Sequence, residues 1–326
     1  MDDVQRNELL VQRAGPQAIA PVVLAFDVGG TRIKAGIVQE AEVLAMLVEP
    51  LPATKDAASL IEALVQIGQR LLVQQSVEAV GISMKGIIDP QQGTILDVNE
   101  ALSALIGLPL ARLVTQAFGL PVWIENDARM YTVGELVYGA GKQVENLLCL
   151  TLGTGVGCGV ALQRRVIRGG RGLFGILGGH ITVESNGPRC SCGNIGCLEA
   201  LIGTAALRQK AAELHVCPVD DALTPRAIFA AAAAGSEAAN AVVAHFTHYL
   251  SVGLVSLIHT YDPDIVVLGG GIAYAAAQFL PAVQRYVDEH TWSYPRGRVR
   301  IKTAKLGDSA ALIGAAALAR GLHVLQ

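Results

Sequence analysis

The feature that most narrows what this chain can fold into is a unit that occurs three times: a short, mostly apolar run that stops in a glycine turn. Residues 22–26 lead into Asp27-Val-Gly-Gly-Thr31, residues 146–152 into Gly153-Thr-Gly-Val-Gly157, and residues 264–268 into Gly269-Gly-Gly271. Apolar runs this short, bounded by turn residues, read as buried strands. Around the first turn, residues 33–38 and 43–48 complete an antiparallel meander. Leu60, Ile61, Leu64, Ile67 and Leu71 then mark one face of a helix, and residues 79–83 re-enter the sheet. A strand-like run at 159–162 follows the second turn, a helix over 273–286 follows the third, and the alanine-rich segment 309–320 reads as helical. The fold class expected is α/β, with two lobes of similar plan that each bring a glycine turn to a shared cleft.

The chain has 326 residues, enough for two domains with substantial cores. Hydrophobic residues make up 52% and charged residues 16%, so disorder is excluded and few charges are left to cover the surface. Burial of some surface between subunits would relieve that, which predicts a homodimer or larger homo-oligomer. The net charge is −3 and the Lys and Arg residues are scattered, so there is no footprint for nucleic acid. No run of 18 or more apolar residues suggests a membrane span. Residues 1–20 carry Asp2, Asp3, Arg6, Glu8 and Arg13 and read as an N-terminal arm without a secretory core, so the expected location is cytoplasmic.

Glycine lets backbone N–H groups approach a phosphate, and a carboxylate at the strand end can hold Mg²⁺ directly or through water. Asp27 with Gly29, Gly30 and Thr31 has this form; a tight hairpin with an Asp-capped turn is the plainer reading. Residues 153–157 offer a second such turn, with Thr151 and Thr154 as hydroxyl donors. Neither turn ends in Gly-Lys-Ser/Thr, and the dinucleotide fingerprint lacks its spacing and its downstream acid. Lys34 follows on a strand whose facing the sequence does not fix. Gly269 to Gly271 fits a backbone surface against an adenine or ribose, or a simple strand-to-helix turn.

Residues 121–124 form a short strand followed by Glu125-Asn126-Asp127 and a helix through Ala128, Tyr131 and Val133. A carboxylate at a strand end can take the proton of a substrate hydroxyl, and Asn126 can bond to neighbouring hydroxyls. Asn or Asp before a helix is also ordinary capping chemistry. Glu135 lies mid-helix, where it can bridge lobes, and Glu199 directly follows a cysteine cluster that would fix its backbone.

That cluster is Cys190-Ser-Cys192-Gly-Asn-Ile-Gly-Cys197, with His180 upstream. Three sulfurs and one nitrogen complete a closed tetrahedral zinc site of structural type; a redox trio is the alternative. The second imidazole nitrogen of His180 remains available to a substrate. Cys149, Cys158 and Cys217 read as small buried hydrophobes. His245, His248 and His259 read as helix residues, and His215, His290 and His323 carry no signal.

Together, Asp27-Val-Gly-Gly-Thr31, Glu125-Asn-Asp-Ala128, Leu150-Thr-Leu-Gly-Thr-Gly-Val-Gly157, Gly179-His180, the cysteine segment through Leu198-Glu199 and Val267-Leu-Gly-Gly-Gly271 resemble the ROK family of sugar kinases and regulators. These motifs span residues 21–320, and the cysteine segment is the most specific. The resemblance implies two ribonuclease-H-like lobes of the actin-like ATPase fold. A small lobe of residues 21–124 plus the C-terminal helix about 309–322 would pack against a large lobe of 125–308 carrying the zinc loop 180–197. It implies a kinase in which Asp127 is general base for a primary hydroxyl, and Asn99, Asn126, His180 and Glu199 bind the acceptor. Asp27, Gly29, Gly30, Thr31, Lys34, Thr154, Gly155, Gly270 and Gly271 would hold ATP and Mg²⁺, with Zn²⁺ on His180, Cys190, Cys192 and Cys197.

Three departures stand out. The family's Glu-x-Gly-His is Leu177-Gly-Gly-His180 here, Pro-Gly before the acidic turn is Lys85-Gly86, and the tryptophan after Asn99 is absent, with Leu105 in its vicinity. A carboxylate bond to a sugar hydroxyl is worth about 1.5–3 kcal/mol. Leucine at 177 therefore predicts an acceptor that differs from glucose at the contacted position: a deoxy-sugar, an amino-sugar or a sugar-like cyclitol. The other readings are a non-catalytic sugar-binding or regulatory protein and a zinc-bearing scaffold. The segment ahead of Asp27 shows no basic recognition helix, so a DNA-binding repressor is not expected.

Overall fold

The computed structural model describes residues 20–73, 75–98, 100–216 and 223–322. The expected arm lies outside them except for Ala20, as do Cys217 and His323. Two five-stranded sheets carry the fold. The first contains β1 (Val23–Val28), β2 (Arg32–Gln39), β3 (Glu42–Pro50), β4 (Ala79–Met84) and β7 (Val122–Asn126), in the order β3-β2-β1-β4-β7. A hairpin of β5 (Ile87–Asp89) and β6 (Thr94–Asp97) stands apart. The second sheet contains β8 (Leu147–Leu152), β9 (Val156–Leu162), β10 (Arg165–Val166), β11 (Ile265–Gly269) and β12 (Arg300–Thr303), in the order β10-β9-β8-β11-β12. Each sheet is an antiparallel meander continued by two strands parallel to its first. The two sheets thus share one plan, as the repeated strand-and-glycine unit predicts.

The first sheet extends to Asn126 rather than stopping at residue 124, because Ser83 and Met84 pair with Glu125 and Asn126. That register sets Asp127 at the rim of the sheet, where α3 (Asp127–Val137) begins. On one face of this sheet lie α1 (Ala57–Leu72) and α2 (Leu110–Phe118). The side chain of Asp56 caps α1 through the Ser59 N–H at 2.8 Å, and its apolar stripe of Leu60, Leu64, Ile67 and Leu71 is buried.

The other face receives α9 (Ala310–Ala319), which is buried on nearly every side and packs against α3, β4 and β1. Small residues are required here. A Cβ at Gly314 would overlap the Met130 carbonyl oxygen, one at Gly134 the Ala310 carbonyl, and one at Gly81 the Ala315 carbonyl. Glu135, wholly buried, ties α3 to the chain entering α9 by accepting the Lys305 and Leu306 N–H groups at 3.1 and 2.7 Å.

The second sheet is covered by α4 (Leu198–Ile202), α5 (Thr204–Glu213), α6 (Pro225–Ala233), α7 (Glu237–Tyr261) and α8 (Ala276–His290). Phe229, Phe246 and Phe279 meet there with ring centroids 5.0–5.9 Å apart. By length and composition α7 is apolar enough to cross a membrane, but half of that stretch is buried inside the fold, with α6 and α8 against it. It is a core helix.

Candidate active site

Backbone register assembles the first part of the site. Asp27 sits opposite Lys34 on β2 and Ser83 on β4. Ser83 Oγ donates to Asp27 Oδ1 at 2.8 Å, and Lys34 Nζ lies 3.7 Å from Asp27 Oδ2. Lys34, almost wholly buried, also donates to the Asp308 carbonyl at 2.7 Å and lies 3.4 Å from its carboxylate, so this lysine faces the cleft. Burial raises the Asp27 carboxyl above its ordinary value, against the pull of Lys34 and the Ser83 bond. The Gly29 N–H closes the turn onto the Arg32 carbonyl at 3.0 Å, while Gly30 has open space where a Cβ would be and Thr31 is exposed.

At the end of β7 the capping falls on Asn126 and not on Asp127. Asn126 is the cap: its Oδ1 accepts the Arg129 N–H at 3.2 Å, and its Nδ2 donates to the Gly86 carbonyl at 2.8 Å and to Asp127 Oδ1 at 3.1 Å. Asp127 Oδ1 also accepts the Ala128 N–H at 2.9 Å; Oδ2 has no hydrogen bond to another described residue. Burial, and then the charge of Asp27, pushes the Asp127 carboxyl up to about 6, with the Ala128 N–H and Lys85 pulling the other way.

The second glycine turn closes through the Gly153 N–H and the Gly155 carbonyl at 3.0 Å, with Thr154 exposed at its tip. Glu199 reaches this turn, where its Oε2 accepts the Val156 N–H at 2.9 Å and fills the space a side chain at Gly155 would need. The third turn bends at Gly270, whose φ of +82° glycine adopts freely. Between this turn, α3 and the 307–308 bend lies a cavity of ≈ 340 Å³, lined by Tyr131, Gly269, Gly270, Tyr274, Thr303 and Asp308 among others. Asp308 thus connects the cavity to Lys34 and Asp27.

His180, Cys190, Cys192 and Cys197 converge, with their ligand atoms all within 4.8 Å of one another. Bond lengths of about 2.3 Å to sulfur and about 2.0 Å to nitrogen around a tetrahedral ion require edges of about 3.8 Å between sulfurs and about 3.5 Å from nitrogen to sulfur. The Cys192 to Cys197 sulfur distance is 3.7 Å, and His180 Nδ1 lies 3.5 Å from Cys190 Sγ. The donor set therefore fits a closed tetrahedral ion. The loop is pinned by the Cys190 N–H on the Asn194 carbonyl at 2.8 Å and the Leu198 N–H on the Ile181 carbonyl at 3.0 Å. Cys197 then precedes α4, whose first turn carries Glu199 to the second glycine turn.

His180 ends a short 3-10 turn, Leu177–His180, in which Gly178 and Gly179 pack directly on Cys158 and the Val156 carbonyl. Leu177 projects from it, 46% exposed. Asn99 lies outside the described residues. Cys149 and Cys158 are buried thiols pushed upward by that burial, as small core hydrophobes should be.

One buried charge cluster joins Glu125, from the motif at the end of β7, to two arginines outside any motif. Arg129 and Glu125 pair at 3.0 Å, Arg168 lies 3.3 Å from the other Glu125 oxygen, and Arg129 also donates to the carbonyls of Ile167, Gly172 and Phe174 at 3.2, 2.7 and 2.9 Å. The helix behind Asp127 thereby fixes the loop that leads to Leu177 and His180. For Arg129 the i,i+4 spacing from Glu125 is the sequence signal.

Comparison with known proteins identifies the fold and the family. A putative xylose repressor of a Caldicellulosiruptor strain is 31% identical over 254 residues, 75% of this chain, and the chain spans 63% of that protein's length. The Streptomyces coelicolor glucokinase is 31% identical over 322 residues, covering 92% of this chain and 98% of that enzyme. The crystal structure of a ROK family glucokinase from Streptomyces griseus, in complex with glucose and AMPPNP, superposes with a TM-score of 0.82 at 29% identity over 92% of this chain and 99% of that one. The fold is the two-lobed actin-like ATPase fold. With the family model matching residues 23–321, the chain belongs to the ROK family.

Proposed function

We propose that this protein transfers the γ-phosphoryl group of ATP to a primary hydroxyl of a hexose or sugar-like acceptor, with Asp127 as general base. The observation that carries the reading is Asp127 itself: at a strand end, relieved of capping duty by Asn126, and raised to about 6. A carboxyl of that strength accepts a hydroxyl proton at neutral pH and is a better base than an unshifted one. As the acceptor oxygen bonds to the γ-phosphorus and the bond to the bridging oxygen breaks, the proton passes to Asp127 and the electron pair leaves with ADP. Asn126 holds Asp127 by its amide, and His180 and Glu199 bond acceptor hydroxyls. Asp27 would hold Mg²⁺, which supplies charge neutralisation at the phosphates. Gly29, Gly30, Thr31, Thr154, Gly155, Gly270 and Gly271 offer backbone and hydroxyl donors to the nucleotide, and Lys34 sets the charge around Asp27. His180, Cys190, Cys192 and Cys197 would hold Zn²⁺ as a structural ion that anchors Glu199 and His180.

The lobes we propose are 21–124 with the C-terminal helix about 309–322, and 125–308, the strand at their junction running on to Asn126. Location in the cytoplasm is supported by the ligand-type thiol cluster, which suits a reducing compartment. A homodimer or larger is supported by Leu44, Met46 and Val48, exposed in a row on the edge strand β3. The apolar Leu177 supports an acceptor altered from glucose, such as a deoxy-sugar, an amino-sugar or a cyclitol.

An ATP-dependent phosphorylation screen over hexoses, their deoxy and amino forms and cyclitols, with Asp127→Ala alongside, tests the reading. Turnover of one acceptor that the variant abolishes supports it; no turnover, or equal turnover, defeats it. A clear preference for unmodified glucose removes the reading of Leu177. The second reading, a sugar-sensing regulator, draws on the likeness to the xylose repressor. It predicts saturable sugar binding without phosphorylation.

A further inference from the structure

Lys85 follows the last residue of β4, and its N–H still bonds the Val28 carbonyl of β1 at 3.4 Å. The chain turns away only at Gly86, whose φ is +115° and whose carbonyl accepts Asn126 Nδ2. Register fixes the neighbours of this lysine. Met84 pairs with Val28 on one side and with Asn126 on the other, so Lys85, one position further on, stands at the sheet rim between Gly29 and Asp127. Side chains alternate along a strand, and Ser83 reaches Asp27, so Lys85 leaves the sheet two residues later on the face of Asp27. Its charge acts on the Asp127 carboxyl.

The ammonium itself is uncommitted. Lys85 is half-buried, yet among the described residues it forms no ion pair and its side chain donates no hydrogen bond. Lys34, on the same face, is engaged by the protein: it donates to the Asp308 carbonyl at 2.7 Å and lies 3.4 and 3.7 Å from the Asp308 and Asp27 carboxylates. An ammonium held partly out of water with three unmatched donors calls for an anionic partner. Its place in the rim says which one. On one side is the turn that would face the phosphates, and on the other the carboxyl that would take the acceptor proton. A phosphoryl group in transit between them spreads negative charge over its three non-bridging oxygens, and a cation fixed beside that path stabilises the transfer more than it stabilises bound ATP.

We infer that Lys85 is a further catalytic residue, whose ammonium donates to a non-bridging oxygen of the phosphoryl group as it passes from ATP to the acceptor. This inference rests on the kinase reading. Lys85 keeps its protons throughout; the hydroxyl proton goes to Asp127 and the electron pair leaves with ADP.

The test compares the parent with Lys85→Met and Lys85→Arg in kcat, in KM for ATP and for the acceptor turned over in the phosphorylation screen, and in calorimetric Mg-ATP affinity. The pH is set on the plateau above the acid limb of all three proteins, so that a shift in the Asp127 value does not enter. For Lys85→Met the expected result is a kcat lowered about a hundredfold or more, with Mg-ATP affinity and both KM values within about threefold of the parent. Lys85→Arg, which keeps the charge, should lose less. A plateau kcat for Lys85→Met within about threefold of the parent overturns the inference, because the lysine then acts only on the titration of Asp127. So does a loss carried by KM or by Mg-ATP affinity, which makes Lys85 a ligand of the ground state, and so does an equal loss of kcat in both variants, which removes the charge as the agent. A parent that phosphorylates no acceptor overturns the kinase reading and this inference with it, whereas a kinase indifferent to Lys85 overturns the inference alone.

Discussion

Glu125 and Arg129 form an ion pair at 3.0 Å with both side chains wholly excluded from solvent, one turn apart at the junction between β7 and α3. Two charges removed from water are tolerated only when each is matched, and Arg168 and the carbonyls of the 167–174 loop complete the matching. Removing one partner strands the other. Glu125→Gln or Arg129→Met should each cost about 3–5 kcal/mol in urea denaturation, with the double variant losing less than the sum. Arg129→Met should also raise KM for the acceptor more than KM for ATP, because the loop it holds leads to His180. Equal effects on both constants would remove that link.

With Asp127 as the proposed base, its carboxyl, raised to about 6, should set the pH dependence of the reaction. The base works only when ionised, so kcat/KM for the acceptor should climb with pH below about 6 and level off above it. Lys85 lowers the Asp127 value, so Lys85→Met should move the acid limb to higher pH. The stability effect has the opposite sense. A carboxyl with a folded value above its unfolded 3.8 favours folding when protonated, and that contribution is lost as pH rises through about 6. Asp127→Asn should therefore melt higher than the parent at pH 8, and the difference should shrink toward pH 4. An acid limb absent down to pH 5 would remove Asp127 as the titrating base.

Local chemistry is what the sequence makes legible. Strand, glycine turn and cysteine cluster each lie within one short segment, and the structure places all three as that segment reads. The split of duties between Asn126 and Asp127 is not legible, because Asn and Asp cap helices equally well and only the Gly86 carbonyl beneath Asn126 decides between them. The facing of Lys34 depends on Asp308, which the chain brings back from the far end of the sequence. Arg129 could be read as a solvated helix residue until the carbonyls of the 167–174 loop are seen around it. Such contacts are set by tertiary packing and leave no periodic trace.

The thiol and imidazole cluster makes a prediction separable from the chemistry. Purified protein should carry one zinc per chain by elemental analysis, and Cys197→Ala should lose it. Because Glu199 follows directly on Cys197 and bonds the Val156 N–H, the loss should weaken acceptor turnover and lower the melting temperature. Mg-ATP binding should weaken less than acceptor turnover, since the cavity at Gly270 shares no residue with the cluster and only the 153–157 turn, which Glu199 bonds, links the two. Zinc-free protein with undiminished melting temperature and turnover would show that the cluster is dispensable.

The crossing of α3 and α9 gives the most direct test of how the fold carries Asp127. At Gly314 the α9 backbone lies against the Met130 carbonyl, and at Gly134 the α3 backbone lies against the Ala310 carbonyl, so neither helix can yield to a side chain without moving the other. Overpacking of this kind costs about 1–3 kcal/mol or more when backbone must shift. Gly314→Ala should cost at least that much in denaturation. It should also lower kcat, because the helix it displaces begins at Asp127. Gly170, with open space around its Cβ position, is the control: Gly170→Ala should stay within about 0.5 kcal/mol of the parent. If Gly314→Ala matched that control in stability and rate, the tight crossing would not be what positions the base.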